Sequence, residues 1–138
     1  MTDSKQDRLL LLCDNIIFKL NDALNILRKA SNWGIVDILG GGMFTTIMKH
    51  NNLSKARSLI SQAEVEMNNL YDQLDERERR VVIGDADIHC LLTIADFLYD
   101  GLLSDILVQK RIGDIKNKVS YVIDQVEEIK NNISFNVE

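Results

Sequence analysis

Proline is absent from this 138-residue chain, histidine and cysteine occur twice each, and there is one tryptophan. Without proline the commonest helix breaker is missing, so nothing of that kind interrupts a long helix. The two cysteines, Cys13 and Cys90, are too few for a disulfide framework. Both read as core thiols of a reducing compartment, and the expected location is the cytoplasm. Long apolar runs are also lacking. The longest weakly charged run, residues 34–48, is shorter than the roughly 20 residues a membrane span requires. The leucines at 9–12 before Cys13 do not make a lipoprotein cleavage site: the run is short, no small residue precedes the cysteine, and Asp14 follows at once. Positive charge is in deficit, with 16 Lys and Arg against 21 Asp and Glu, a net charge of −5. Nucleic acid and anionic membrane both need a cationic footprint, so neither is expected as a partner.

What is present is apolar periodicity. Hydrophobic residues make up 46% of the chain, ordinary for a globular domain. The length predicts one domain, residues 1–138, with a core that needs no covalent staple. Leu9, Cys13, Ile16, Leu20, Ala23, Leu27 and Ala30 recur at alternating spacings of four and three, which predicts a first helix over 4–32 with a heptad seam. Ser4 and Asp7 resemble a capping box at its start. Leu10, Leu12, Ile17, Leu24 and Ile26 widen the seam, so this helix is expected to be central and to touch at least two neighbours. A second seam, Leu53, Ala56, Ile60, Ala63, Met67, Leu70 and Leu74, predicts a helix starting at Asn51 or Asn52 and ending near Arg80. The charged run 75–80 reads as its solvated end. A third helix is expected over about 85–100, capped by Asp85 or Asp87. Unbroken to residue 133 it would be roughly 73 Å long, more than any other helix here could cover, so a break is expected at Gly101. Val108, Ile112, Ile115, Val119, Val122, Val126, Ile129 and Ile133 form the seam of a fourth. Its flanks carry Arg111, Lys116, Lys118 and Lys130, while the second helix carries Glu64, Glu66 and Glu78. Opposite flank charges predict that the second and fourth helices are neighbours, within one chain or between two.

Between the first two seams, residues 31–50 hold Trp33, four of the seven glycines and one acid within an apolar run, Asp37. Gly34 is expected to end the first helix in the left-handed conformation. Gly40, Gly41 and Gly42 then form a turn, followed by a short helix over 43–50. Glycines leading into a helix leave backbone N–H groups free for an anion, with Thr45 and Thr46 close behind. The pattern matches no phosphate-loop spacing, the next basic residue is Lys49, and Asp37 would repel an anion. The glycines are therefore expected first as a close-approach turn. Trp33, Asp37, Gly40, Gly41, Gly42, Thr45 and Thr46 are the candidate ligand-binding residues. His50 and His89 are candidate metal ligands only if the fold brings them together with shared carboxylates. No nucleophile motif, catalytic residue or cofactor signature is visible.

The expected fold is all-α: an up-down four-helix bundle with heptad-like packing and a short extra helix after the triple-glycine turn. The first function expected is non-enzymatic, a protein-interaction or self-association module, because the Val/Ile seam of the fourth helix is longer than a compact bundle needs. The partner would be a second copy in a homodimer, or another protein. The alternatives are a small-ligand or anion-binding bundle at the glycine turn and a metal-dependent enzyme using His50 and His89.

Overall fold

The computed structural model describes residues 2–40, 43–86 and 108–135, with side chains at 2–29, 54–86 and 113–135. Every regular element among them is helical: α1 (Asp3–Gly40), α2 (Met43–Gln73), α3 (Glu76–Val82) and α4 (Val108–Phe135). The chain is all-α over the described residues. The expected third helix and the break at Gly101 lie outside them.

α1 is capped two residues earlier than the Ser4–Asp7 pattern implies. The Thr2 hydroxyl accepts from the Lys5 N–H at 3.3 Å, and the Thr2 carbonyl accepts from Gln6. α1 also runs through Gly34, the expected terminator, to Gly40. One glycine inside a helix costs only about 1 kcal/mol against alanine, which a long helix absorbs. α1 is described as far as Gly40, the first of the three consecutive glycines. α2 starts directly after, at Met43, and is one helix of 31 residues. The expected short helix over 43–50 and the expected caps at Asn51 and Asn52 are therefore overturned: both asparagines are interior, and no proline lies there to break the helix.

α2 ends earlier than expected, at Gln73. The cause is local. Asp75 adopts an extended backbone, its carboxylate accepts from the Glu78 N–H at 2.8 Å, and the Glu78 carboxylate accepts from the Asp75 N–H at 2.9 Å. This is a full capping box, and it starts α3 inside the run that read as a solvated helix end. α3 closes at Ile83, and Gly84 follows with φ +51°.

Each seam is buried wherever its side chains are described. Leu9, Cys13, Ile16, Leu20, Ala23 and Leu27 of α1, Ala56, Ile60, Ala63, Met67 and Leu70 of α2 with Leu74 beyond it, and Ile115 to Ile133 of α4 join one core with Val82 and Ile83. α1 packs extensively against both α2 and α4. Both neighbours run antiparallel to it. Arg8 meets Gln73 and Lys19 meets Glu66 on the α2 side, while Gln6 meets Ile133 and Asp14 meets Lys130 on the α4 side. The α1–α2 register, 8 opposite 73 and 19 opposite 66, converges on residues 41 and 42.

The expected pairing of the second and fourth helices is corrected for the single chain. Among the described residues α2 and α4 share no extensive contact; α1 takes both. Three of the flank charges meet α1. Glu66 pairs with Lys19, Glu78 with Lys5 and Lys130 with Asp14, every one at 2.7 Å. A seam wide enough to need two neighbours outcompetes a direct contact between those neighbours, because burial of apolar surface outweighs flank charge.

Two glycines separate helix propensity from backbone need. A Cβ built on Gly113 in α4 meets nothing within 4 Å, while Gly84 holds a positive φ. Gly113→Ala should raise stability by roughly 0.5–1 kcal/mol and Gly84→Ala should lower it by about 1 kcal/mol, read by urea denaturation. The cap gives a pH test. The Glu78 N–H that it accepts holds the Asp75 carboxyl below its ordinary value. A depressed carboxyl contributes stability that is present above its unfolded-state value and lost as pH falls through the folded one. Asp75→Ala should therefore melt earlier than the parent at neutral pH, and the difference should close in strong acid.

Candidate interaction surface

At one end of the fold α1, α3 and α4 are tied by side chains. The Glu78 oxygen that caps Asp75 also takes the Lys5 ammonium. The Gln6 amide donates to the Ile133 carbonyl at 2.9 Å, and the Asn132 amide donates to the Val82 carbonyl at 2.8 Å. Both carbonyls lie at helix C-termini, where no intrahelical donor remains. Arg79 stacks over the Tyr71 ring at 4.0 Å and donates to the Tyr71 carbonyl. Each group here has a structural partner, so this end works as a clamp that closes the helix termini.

Farther along α1, Lys19 and Glu66 are largely covered, and the second Glu66 oxygen is buried without a partner. Asp14 and Lys130 are more exposed. Asp14 accepts a hydrogen bond from the Lys130 ammonium and raises its pKa. Such a pair orients helices more than it stabilises them.

The sequence-derived ligand candidates fall around the α1–α2 link. Trp33, Asp37 and Gly40 are in the last turns of α1, Thr45 and Thr46 in the first turns of α2, and His50 is two turns in. Gly41, Gly42 and His89 lie outside the described residues, as do the side chains of the others. One change follows from the backbone. Gly40 belongs to a helix, so the carbonyl end of α1 is three residues from the amide end of α2. The partial negative charge of one terminus offsets the partial positive charge of the other, which weakens this link as an anion site. Among the described residues no group of His, Cys, Asp and Glu side chains is placed to hold a metal ion.

A shallow open groove on α2 is lined by Ser54, Arg57, Ser58 and Ser61. Among the described residues its lining comes from α2 alone.

The surface feature that sequence reasoning missed is on the outer side of α1. Leu11 is 60% exposed and Phe18 is 67% exposed. They are seven residues apart, on the face opposite the seam. Off-seam apolar residues repeated at seven were the available signal. Tyr121 and Phe135, fourteen apart, stand exposed on the outer side of α4, Val65 and Tyr71 are exposed on α2, and Val81 on α3. Among the described residues no helix is long and apolar enough to cross a membrane.

Comparison with protein-family models, curated proteins and solved structures returns no match to this chain.

Cys13 is fully buried and free, and burial, with Asp14 next to it, pushes its thiol up to about 12. The thiolate is the reactive form. In a Cys90→Ser background Cys13 should resist a disulfide reagent at pH 8 and react at once in denaturant. Rapid labelling of the native protein would show that the α1 seam opens.

Proposed function

We propose that this chain is a single-domain helical bundle, residues 1–138, that works by association rather than by catalysis. The observation that carries the reading is the outward placement of Leu11 and Phe18 on α1, with Tyr121 and Phe135 on α4. Large apolar side chains repeated along an outer helix face suit helix-on-helix recognition. The Val/Ile seam of α4 is less suited to it, because its members from Ile115 to Ile133 are already covered within the chain. The outer faces are the surfaces left for a partner. A two-fold dimer is the simplest closed form of such association. The finer architecture, an up-down four-helix bundle with heptad-like packing, belongs to the same reading, as does a cytoplasmic location suited to a free core thiol.

A second reading, a small ligand at the α1–α2 link, has one observation in its favour. The first turn of α2 carries Thr45 and no acid. The adjoining carbonyl end of α1 counts against an anion there, so a neutral ligand fits better, and Trp33 fluorescence would report it. The metal-dependent reading through His50 and His89 has no described geometry behind it.

Alanine at Phe18 and Phe135 separates a functional from a structural role. Both variants should melt within about 0.5 kcal/mol of the parent, as surface changes do, yet reduce association seen by sedimentation at high micromolar concentration. A loss of several kcal/mol from either, or a protein that is strictly monomeric and binds no other chain, would sink the association reading.

A further inference from the structure

The outer stripe of α1 alternates in kind as well as in spacing. Asp7, Leu11, Asp14, Phe18 and Asp22 follow one another at four, three, four and four residues. That spacing keeps all five on one side of the helix. Asp7 and Asp14 are exposed, Asp22 is half-buried, and the two apolar members are the exposed pair described above. The basic residues of this part of α1 are turned elsewhere. Lys5 is held by Glu78, Arg8 by Gln73 and Lys19 by Glu66, all toward the α2–α3 side. The stripe therefore presents two apolar knobs in an acidic surround.

From this arrangement we propose that the outer face of α1 docks a basic amphipathic helix of a different protein. Such a helix carries two apolar side chains seven residues apart, flanked by Lys or Arg. The proposal rests on the association reading and names its partner class. Charge decides among the occupants. A second copy applied through the same stripe sets Asp7 and Asp22 against their own counterparts, which is unfavourable, since the one cation at the stripe, Lys130, is already held by Asp14. Residues 87–107 of this chain are apolar enough to cover the knobs. They hold Asp87, Asp96, Asp100 and Asp105 and no Lys or Arg, so they lack the complementary charge. A basic helix satisfies both parts of the stripe at once: its apolar face covers Leu11 and Phe18, and its cations meet Asp7 and Asp22.

The test uses the full chain and a dansyl-labelled synthetic helical peptide with leucines at four-three spacing and lysines at the flanks. A twin with glutamate for every lysine is the control. The lysine peptide should bind, the twin should not, and binding should weaken steeply with added salt. Phe18→Ala should weaken binding about tenfold or more, while Val65→Ala, an equally exposed change on α2, should leave it unaltered. Asp7→Asn with Asp22→Asn should weaken it further; Asp14 is left alone because it also holds Lys130. Equal binding of the two peptides, or no effect of Phe18→Ala, overturns the basic-helix assignment. Self-association that Phe18→Ala abolishes would overturn the assignment while leaving the association reading standing. Absence of both peptide binding and self-association would remove both.

Discussion

A helix with apolar side chains around half its circumference is stable only when two neighbours cover it. α1 is such a helix, and its coverage organises the fold. Its seam residues are sealed, and Leu10, Leu12, Ile17 and Ile26 on the two flanks are partly buried against the same core. α2 closes one flank and α4 the other. Once those places are taken, the antiparallel sense of both neighbours follows from the contacts at their ends. The ion pairs of Lys5, Lys19 and Asp14 mark where each neighbour meets α1. They choose the partner's side and register; the apolar area beneath them supplies most of the stability.

That arrangement leaves each exposed feature with a meaning it would lack on an isolated helix. The wide seam of α1 uses about half of its circumference, and Leu11 and Phe18 stand on the opposite side with acids around them. The seam of α4, attractive as an interface while only its length was considered, is consumed by the chain's own core. The polar end of the fold, where Glu78 serves both its own cap and Lys5, is fully used in closing helix termini. Association through an outer face is the reading these placements support.

Much of the fold was legible in the residues. The four-three recurrence at Leu9 to Leu27, at Ala56 to Leu74 and at Ile115 to Ile133 marks side chains that are buried, because the α-helical period puts such positions on one side whatever covers them. The missing proline foretold long helices, though not that α1 would pass Gly34 or that α2 would take in the asparagines at 51 and 52. Local signals mislead there. A lone glycine and two good N-cap residues cost a helix little, and continuation retains every backbone hydrogen bond. The break at Asp75 had its signal in plain view, since Asp75 and Glu78 have capping-box spacing, but the surrounding charges read equally well as a solvated surface. The site candidates around the glycines were chosen from residue type alone, and their side chains lie outside what the structure describes.

By itself the sequence determined the class of the protein: helical, acidic, free of a disulfide framework, with one helix too apolar to stand on a single contact. These properties depend on residue type and on spacing along one helix. The tertiary structure decided which helix meets which. It gave α1 charge partners on both neighbours, Glu66 of α2 and Lys130 of α4, and it turned the Val/Ile seam inward while leaving Leu11 and Phe18 outside. The physical reason is that periodicity states which face of a helix is apolar, whereas exposure depends on how many neighbours that face recruits. A stripe with acids at 7, 14 and 22 becomes a surface only when the bases at 5, 8 and 19 have been drawn to another side.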